Sequence, residues 1–296
     1  MKRLLWVLPV GLLGVALALA LWPHEPPAAP PSGPPRRIVC LAPVYTEVVF
    51  ALGAGDRLVG RSQWCNFPPE AERLPVVGGL GQPNLEQLVA LQPDLILAPA
   101  LGKSDNYEKL RRLGFRVEEM EPGTFADALA GIRRIGGWLG EEAAAEAVVK
   151  KIEQDRDALV KTLAGCPRVR CALVVGHEPL FVSGAGTYLD DLLALANAEN
   201  ACGDAQGWAR YGLEDFLARN PEVILDSTMG NEREADHQVV AFWSRWTDVA
   251  AVKDGRVHAI DPDLTNRPGP RMVQAIEHLA RHLHPDAFAR GTEGGR

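Results

Sequence analysis

The sequence predicts an α/β protein of two similar lobes with parallel sheets, joined by a single long helix. Three observations support this fold class. One motif occurs twice, strands and helices alternate in both halves, and an alanine-rich helix without Gly or Pro separates the halves. Alternating elements of this kind usually form a parallel sheet that helices cover on both faces.

The repeated motif reads NLEQLVALQPDLIL over residues 84–97 and GLEDFLARNPEVIL over residues 212–225. Each copy predicts a short helix, a break before proline, and an acidic residue that opens a buried strand. Glu86 and Glu214 stand the same distance ahead of their prolines, at the start of equivalent helices. Two similar lobes that each present one glutamate have the layout of a docking protein.

The N-terminus predicts export. Met1-Lys2-Arg3 precedes an apolar run, residues 4–22, which contains the small-x-small cleavage pattern Ala18-Leu19-Ala20. Residues 1–22 are therefore a signal peptide or, because the run could just span a membrane, an uncleaved anchor. Frequent prolines make residues 23–36 an extended spacer.

The N-terminal lobe is predicted over residues 37–140. Its strands are short apolar runs, and its helices carry apolar residues three and four positions apart, the first of them ending at Gly53. In order, the elements are strand 37–42, helix 46–52, strand 57–61, helix 86–91, strand 95–98, helix 106–113, strand 116–119 and helix 125–139.

Residues 141–165 form the connection, most of it one helix over 141–163 with an apolar stripe that includes Val148, Ile152 and Leu159. At 1.5 Å per residue this helix spans roughly 34 Å. Because it offers no Gly or Pro as a hinge, we expect only small ligand-linked motion of the lobes.

The C-terminal lobe is predicted over residues 166–290. A proline next to Cys166 opens its first strand, and an amphipathic helix closes it. In order, the elements are strand 169–175, helix 188–196, helix 214–218, strand 223–226, helix 239–246, strand 257–260 and helix 271–283.

Composition argues against some partners and chemistries. The formal net charge is −7, and the chain has no arginine cluster or basic stripe, so we expect no nucleic-acid partner. An odd number of cysteines leaves at least one without an intramolecular partner, and we interpret them mainly as buried small apolar residues. The cysteines are Cys40, Cys65, Cys166, Cys171 and Cys202.

Motifs of the common enzyme classes, such as the P-loop, G-x-S-x-G and H-E-x-x-H, are absent from the sequence. His177 follows a strand at its C-terminal end, where ligands of α/β proteins bind, so we predict a ligand-lining or loop-structural role. His278 and His282 are predicted on a solvated helix face, and no metal site is expected.

Aromatic residues follow several strand ends, which predicts a binding surface for a flat or bulky ligand; packing under loops is the alternative. Asp263 and Arg267 lie between the last strand and the last helix, where they could also simply pair with each other. The aromatic candidates are Trp64, Phe181, Trp208 and Tyr211.

Several segments together resemble the periplasmic substrate-binding proteins of ABC importers, and most closely the cobalamin (vitamin B12) branch, with ferric-siderophore and haem binders as relatives. The resemblance extends from residue 37 to about residue 285. The segments are RIVCLAP (37–43) followed by Thr46-Glu47, FPPE (67–70), NLE (84–86) with PDLIL (93–97), and RPGPR (267–271).

The resemblance implies two Rossmann-like lobes, a ligand in the cleft between them, and delivery from the periplasm to a membrane permease dimer. By motif position, Glu86 and Glu214 are the glutamates that dock on permease arginines. Leu80 and Pro99 stand where the cobalamin binder has aromatic residues, which leaves haem or a siderophore open. The implied cleft residues are Trp64, Phe181, Trp208, Asp263 and Arg267.

We therefore expect a non-enzymatic, monomeric receptor for a metal chelate, most closely a corrinoid, whose metal arrives inside the ligand so that no cofactor is required. A two-lobe α/β enzyme is the alternative from a different class, because the fold alone does not exclude it. Direct capture of a metal ion is a third hypothesis for the function. It would require His177 to converge with carboxylates and another histidine.

Overall fold

The computed structural model describes residues 33–79, 81–100, 102, 104–121, 123–228 and 232–289. The predicted leader, most of the spacer and Leu80 lie outside the described residues. Within the described ranges, no helix is both long enough and apolar enough to cross a membrane.

The first lobe contains a four-stranded parallel sheet in the order β2-β1-β5-β6. Every residue of β1 and β5 is buried, which explains why both read as continuous apolar runs rather than as alternating patterns. A small hairpin, β3 and β4, precedes the repeated motif. The strands are β1 (Ile38–Cys40), β2 (Leu58–Arg61), β3 (Gly78–Gly79), β4 (Gln82–Pro83), β5 (Leu95–Pro99) and β6 (Val117–Met120).

The helices of the first lobe follow the prediction closely. They are α1 (Pro43–Ala51), α2 (Leu85–Leu91), α3 (Asp105–Arg112) and α4 (Phe125–Leu139), with short 3-10 helices at Gly55–Arg57 and Pro69–Arg73. A capping box starts α4. The Thr124 hydroxyl accepts from the Asp127 N–H at 3.2 Å, and the Asp127 carboxylate accepts from the Thr124 N–H at 2.8 Å. These bonds from Thr124 lower the pKa of Asp127.

The second sheet has six strands and is mixed. The expected parallel pairing holds for β7, β9, β11 and β12, but β8 runs in the opposite direction and pairs antiparallel with both β7 and β10. Only Glu178-Pro179 connects β7 to β8, and so short a connection can join only antiparallel neighbours. The strands are β7 (Val169–His177), β8 (Leu180–Ser183), β9 (Ala198–Asn200), β10 (Trp208–Arg210), β11 (Val223–Asp226) and β12 (Val257–Ala259).

The second lobe and the connection contain eight helices among the described residues. The helix predicted over 239–246 is observed over 232–243, because its polar first half carries no apolar periodicity. The helices are α5 (Glu142–Leu163), α6 (Tyr188–Leu195), α7 (Leu213–Ala218), α8 (Glu232–Trp243), α9 (Ala250–Lys253), α10 (Pro262–Thr265), α11 (Met272–Leu283) and α12 (Pro285–Ala289).

The two copies of the repeated motif have equivalent structures. Helices α2 and α7 are each followed by a left-handed residue directly before proline, Gln92 with φ 45° and Asn220 with φ 44°. The strand that follows, β5 or β11, lies between two parallel neighbours in its sheet. The sequence repeat is therefore a structural repeat.

In both lobes, an arginine from the start of the first strand hydrogen-bonds to the C-terminal end of the repeated helix. Arg37 donates from Nη2 to the carbonyl of Leu91 at 2.6 Å, and Arg170 donates from Nη1 to the carbonyl of Arg219. Each arginine stands at the start of the lobe's first strand, so its side chain satisfies a C-terminal carbonyl of α2 or α7.

One apolar core is common to both lobes. It contains Ile38 and Leu97 from the first sheet together with Leu173 and Leu225 from the second. Helix α5 contributes its buried residues to this core and packs against α4 and α11. The buried residues of α5 are Ala145, Val149, Ile152 and Leu163. The connection is therefore part of the core of the protein rather than an exposed linker.

Replacing Val149 by Ala should destabilise both lobes together. The side chain is fully buried in the common core, so losing two methyl groups and leaving a cavity should cost roughly 2 kcal/mol in free energy of unfolding. Chemical denaturation should show this loss in a single cooperative transition. Val160→Ala is the matched control on the same helix, 39% exposed, and should change stability little. Equal effects of the two substitutions would contradict the common core.

Candidate functional site

Two adjoining cavities lie where the first lobe meets the second. The cleft cavity, of about 240 Å³, has Gly123 of the first lobe on one side and Tyr188 and Trp208 of the second lobe on the other. The α1–α4 pocket, of about 280 Å³, opens beside it between helices α1 and α4. Gly123, Asn266 and Pro268 line both cavities, so the two lie side by side.

Trp208 and Phe181 come from the antiparallel part of the second sheet. Trp208 pairs with Ser183 and Arg210 pairs with Phe181, and residues directly opposite in an antiparallel pair point to the same face. Phe181 and Trp208 therefore share one face. Trp208 is 53% exposed and lines the cleft cavity, while Phe181 is half-buried.

Trp64 lies on the loop after β2 and is 58% exposed. Its carbonyl accepts from Nη2 of Arg267 at 3.3 Å, which holds this first-lobe loop against the second lobe. Among the described residues that line the two cavities, neither Trp64 nor Phe181 is found. Their contact with a ligand stays a prediction.

Four charged residues form an inter-lobe ion cluster. They are Glu47 of α1, Asp263 of α10, and Arg267 and Arg271 of the loop between α10 and α11. Arg271 donates from Nε to Oε2 of Glu47 at 2.8 Å and from Nη2 to Oε1 at 2.7 Å. Arg267 donates from Nη1 to Oε1 of Glu47 at 3.2 Å. The Glu47 side chain is only 2% exposed, so the two guanidinium groups compensate its lost hydration.

Asn66 extends the cluster. It donates to Oδ2 of Asp263 at 2.6 Å and accepts from Nη1 of Arg267 at 2.7 Å. Asp263 and Arg267 also pair with each other, as one interpretation of the sequence proposed. Burial alone would lower the pKa of Arg271, but the bonds and charge of Glu47, together with the charges of Asp261 and Asp263, raise it.

Sequence reasoning missed Glu47 and Asn66 as site residues. Glu47 stood out as a single charge among apolar neighbours in a helix, and Thr46-Glu47 was among the segments that carried the family resemblance. Tyr188 was also missed. Its hydroxyl is buried with no hydrogen-bond partner among the described residues, and burial followed by the Glu47 charge raises its pKa.

His177 is held by helix α8. Its Nε2 lies 2.6 Å from Oδ2 of Asp226, and its ring stacks on Phe242 with centroids 3.8 Å apart. Asp226 is fully buried and also accepts from Nε1 of Trp243 at 2.8 Å. In the part of the chain that the structure describes, no three potential ligands stand together as a metal site. The geometry of His177 therefore gives no support to direct metal capture.

His278 and His282 differ from the prediction of a solvated face. Both are half-buried, and the ring of His282 lies 4.6 Å from that of His258 and 5.0 Å from that of His278. His258 comes from β12, so the contact depends on tertiary packing that helix periodicity does not reveal.

Glu86 and Glu214 lie in the first turns of α2 and α7 and are exposed. Neither side chain makes a hydrogen bond or an ion pair with another described residue. Each has an exposed apolar neighbour on its own helix, Val89 at 52% and Leu213 at 38%. The two apolar residues are not equivalent positions of the repeat, because Val89 follows Glu86 by three residues and Leu213 directly precedes Glu214.

All five cysteines are free thiols, and four of them are buried. Burial is the main cause that raises the pKa of Cys202 to about 11, and it also raises the pKa values of Cys40 and Cys171. The interpretation of the cysteines as buried apolar residues is confirmed for these four; Cys166 is half-buried.

The fold and the inter-lobe cavity define a two-lobe binding protein. A sequence profile described as periplasmic binding protein matches residues 38–264, and the chain belongs to this family. The ABC transporter substrate-binding lipoprotein YvrC of Bacillus subtilis is 31% identical over 262 residues, covering 86% of this chain and 82% of that protein. Proteins of this class bind small ligands and deliver them to a membrane permease.

Solved structures of the family share the fold. The vitamin B12-binding protein BtuF of Vibrio cholerae aligns with TM-score 0.73 and 27% identity over 86% of this chain and 98% of its own. A periplasmic heme-binding protein of Pseudomonas aeruginosa aligns with TM-score 0.77 and 26% identity over 85% and 93%. The resemblance drawn from the sequence is confirmed at the level of the family.

Replacing Glu47 by Gln should destabilise the protein strongly. The substitution leaves two largely buried arginines short of a counter-charge, which should cost about 3–5 kcal/mol in free energy of unfolding. Glu277→Gln is the control, since its ion pair with Arg281 is exposed and should contribute under about 1 kcal/mol. Similar denaturation midpoints for the two variants would show that the cluster does not hold the lobes together.

Proposed function

We propose that the protein captures a corrinoid in the cleft between its lobes and delivers it to an inner-membrane ABC importer, without chemistry on the ligand. The observation that carries the proposal is the inter-lobe cleft cavity with the exposed Trp208 on its wall, in a chain of the periplasmic binding protein family. Aromatic faces suit a large macrocycle, because they bury much apolar area without requiring charge. We assign Trp64, Phe181, His177, Asp263 and Arg267 to the rim of the same site.

Haem, or a ferric siderophore, is the second candidate ligand. The fold aligns as well with a heme-binding protein as with a vitamin B12-binding protein. Pro99 lies in the wall of the α1–α4 pocket. By the sequence resemblance, the cobalamin binder has an aromatic residue at this position. This departure favours a ligand whose shape differs from cobalamin on that side.

A two-lobe enzyme is the alternative from another class. It would need a nucleophile beside a base. His177 and Asp226 are the described pair that most resembles such a base and its orienting carboxylate, yet no described Ser, Thr or Cys hydrogen-bonds to His177. The proposal of binding without catalysis rests on this arrangement and on the family.

We also propose the domain limits that the sequence predicts: leader 1–22, spacer 23–36, lobes 37–140 and 166–290, and connection 141–165. Export to the periplasm is supported by relatives that are periplasmic proteins or lipoproteins. A cleaved leader gives a free monomer, whereas an uncleaved one tethers it to the inner membrane.

Absorption spectra of the purified protein decide among the ligands. The protein is incubated separately with cyanocobalamin, haemin and ferrichrome, and unbound ligand is removed by gel filtration. Retention of the cobalamin chromophore at one per chain supports the proposal. Retention of haemin or ferrichrome alone moves the assignment to the second candidate. If no chromophore is retained, the proposed ligand class is wrong.

Glu86 and Glu214 are proposed to dock on the permease. Two separated carboxylates can each meet an arginine of a two-subunit permease and so fix the orientation of the complex. Val89 and Leu213 would add apolar contact beside them. The alternative role, stabilising the dipole at the starts of α2 and α7, explains each glutamate alone and needs no partner.

Replacing Trp64, Phe181 or Trp208 by Ala should weaken ligand binding by roughly 1 to 3 kcal/mol each, because each removes aromatic area from the site. Spectral titration measures the affinity, and thermal melting should find folding intact for the two exposed tryptophans. Trp208→Phe keeps most of the aromatic area and should lose less than Trp208→Ala. Unchanged affinity of the triple alanine variant would contradict the cleft assignment.

Replacing both Glu86 and Glu214 by Lys should abolish stimulation of the importer ATPase, and with it uptake, while ligand affinity stays unchanged. The control is the double variant Asp105→Lys, Glu142→Lys. It makes the same change in net charge at exposed positions in the first turns of α3 and α5. Normal uptake by the Glu86→Lys, Glu214→Lys variant would contradict the docking role and leave both glutamates with a helix-stabilising role only.

A further inference from the structure

The α1–α4 pocket adjoins the cleft cavity, and its lining is mostly apolar. Its walls are formed by buried residues of the two helices and of β6. Gly131 of α4 stands in the wall without a side chain, and Gly123 lines both this pocket and the cleft cavity. The buried wall residues are Tyr45, Val48, Met120, Ile132 and Ile135.

The polar groups at this pocket are already engaged. The Tyr45 hydroxyl donates to the carbonyl of Met120 at 3.1 Å, and the Arg267 guanidinium is bound by Glu47. Asp127 accepts from Thr124 as part of the capping box, and Glu121 is exposed to solvent at the rim. A charged group in the interior would lose its hydration without a compensating partner. The interior therefore selects for an uncharged, apolar occupant.

Its size is consistent with one or two rings. An apolar cavity of about 150 Å³ is enough to hold benzene, and the α1–α4 pocket is about 280 Å³. The pocket is partly open, so its apolar walls meet solvent while it is empty. A ligand group that covers these walls would gain the free energy of burying apolar area.

We propose that the α1–α4 pocket is a subsite that receives an uncharged apolar edge or ring of the chelate bound in the cleft. The inference rests on the proposed function, since the occupant reaches the pocket through the cleft cavity that shares Gly123, Asn266 and Pro268 with it. In this arrangement the cleft binds the main part of the ligand, and the α1–α4 pocket binds and so recognises one of its substituents.

Gly131 allows the pocket to be filled by mutation. A Cβ added there would lie 3.8 Å from Sδ of Met120, an ordinary contact, so Ala fits and the larger Leu extends into the pocket. Gly137 on the same helix is the matched control, because it is exposed and an added Cβ meets nothing within 4 Å. Both substitutions to Leu raise the helix propensity of α4.

Affinities for cyanocobalamin and haemin are measured by spectral titration with wild type, Gly131→Ala, Gly131→Leu and Gly137→Leu. Gly131→Leu should weaken binding of the retained chelate by about tenfold or more, and Gly137→Leu should leave it unchanged. Indole, a free apolar ring system, should compete with the chelate in the wild type.

Equal affinities of Gly131→Leu and Gly137→Leu would overturn the subsite while chelate binding by the wild type left the proposed function standing. A wild type that binds neither chelate would overturn both. If Gly131→Leu fails to fold, the wild-type indole competition decides: absence of competition overturns the subsite, and competition that Gly131→Ala weakens supports it.

Discussion

The buried carboxylate of Glu47 constrains much of the inter-lobe structure. It lies in an otherwise apolar helix of the first lobe, and burying its charge requires cations from elsewhere in the chain. Arg267 and Arg271 supply them from the far end of the sequence. That pairing fixes the loop between α10 and α11, and Asn266 and Pro268 on this loop line both cavities. The shape of the site thus depends on an ion pair that connects the lobes.

The two lobes share the same local structure around the repeated helix but differ in the strand that follows their first strand. In both, an arginine at the first strand bonds the end of the repeated helix, and a left-handed residue precedes proline. After its first strand, however, the second lobe turns back at once and forms β8, whereas the first lobe crosses over to a parallel strand. This difference places Phe181 and Trp208 on the second lobe without counterparts from an equivalent hairpin in the first.

Most elements of the fold could be predicted from the sequence, because buried strands and amphipathic helices leave local patterns. Boundaries were close for α2, α4, α5 and β11. Strands β8 and β10 could not be predicted from local patterns, because they are short and are defined as strands by their pairing with each other. The polar start of α8 carried no periodic signal.

The site was harder to predict than the fold. Trp208 was recognisable as an aromatic residue beyond a strand, and it lines the cleft cavity. The pairing of Glu47 with arginines more than two hundred positions away could not be predicted, because neither segment alone indicates that it contacts the other. The α1–α4 pocket is likewise a result of how two helices pack, which no single segment specifies.

The common core has a consequence for how the chain reaches its final state. Met272, Ile276 and Leu279 of α11 belong to the same core as Ile38 of the first strand, so the earliest and latest parts of the chain complete one apolar interior. A chain that crosses a membrane from its N-terminus onward exposes the first lobe before α11 has followed. Until then the core of such a chain is incomplete, and exposed apolar surface of this kind is what chaperones and proteases recognise.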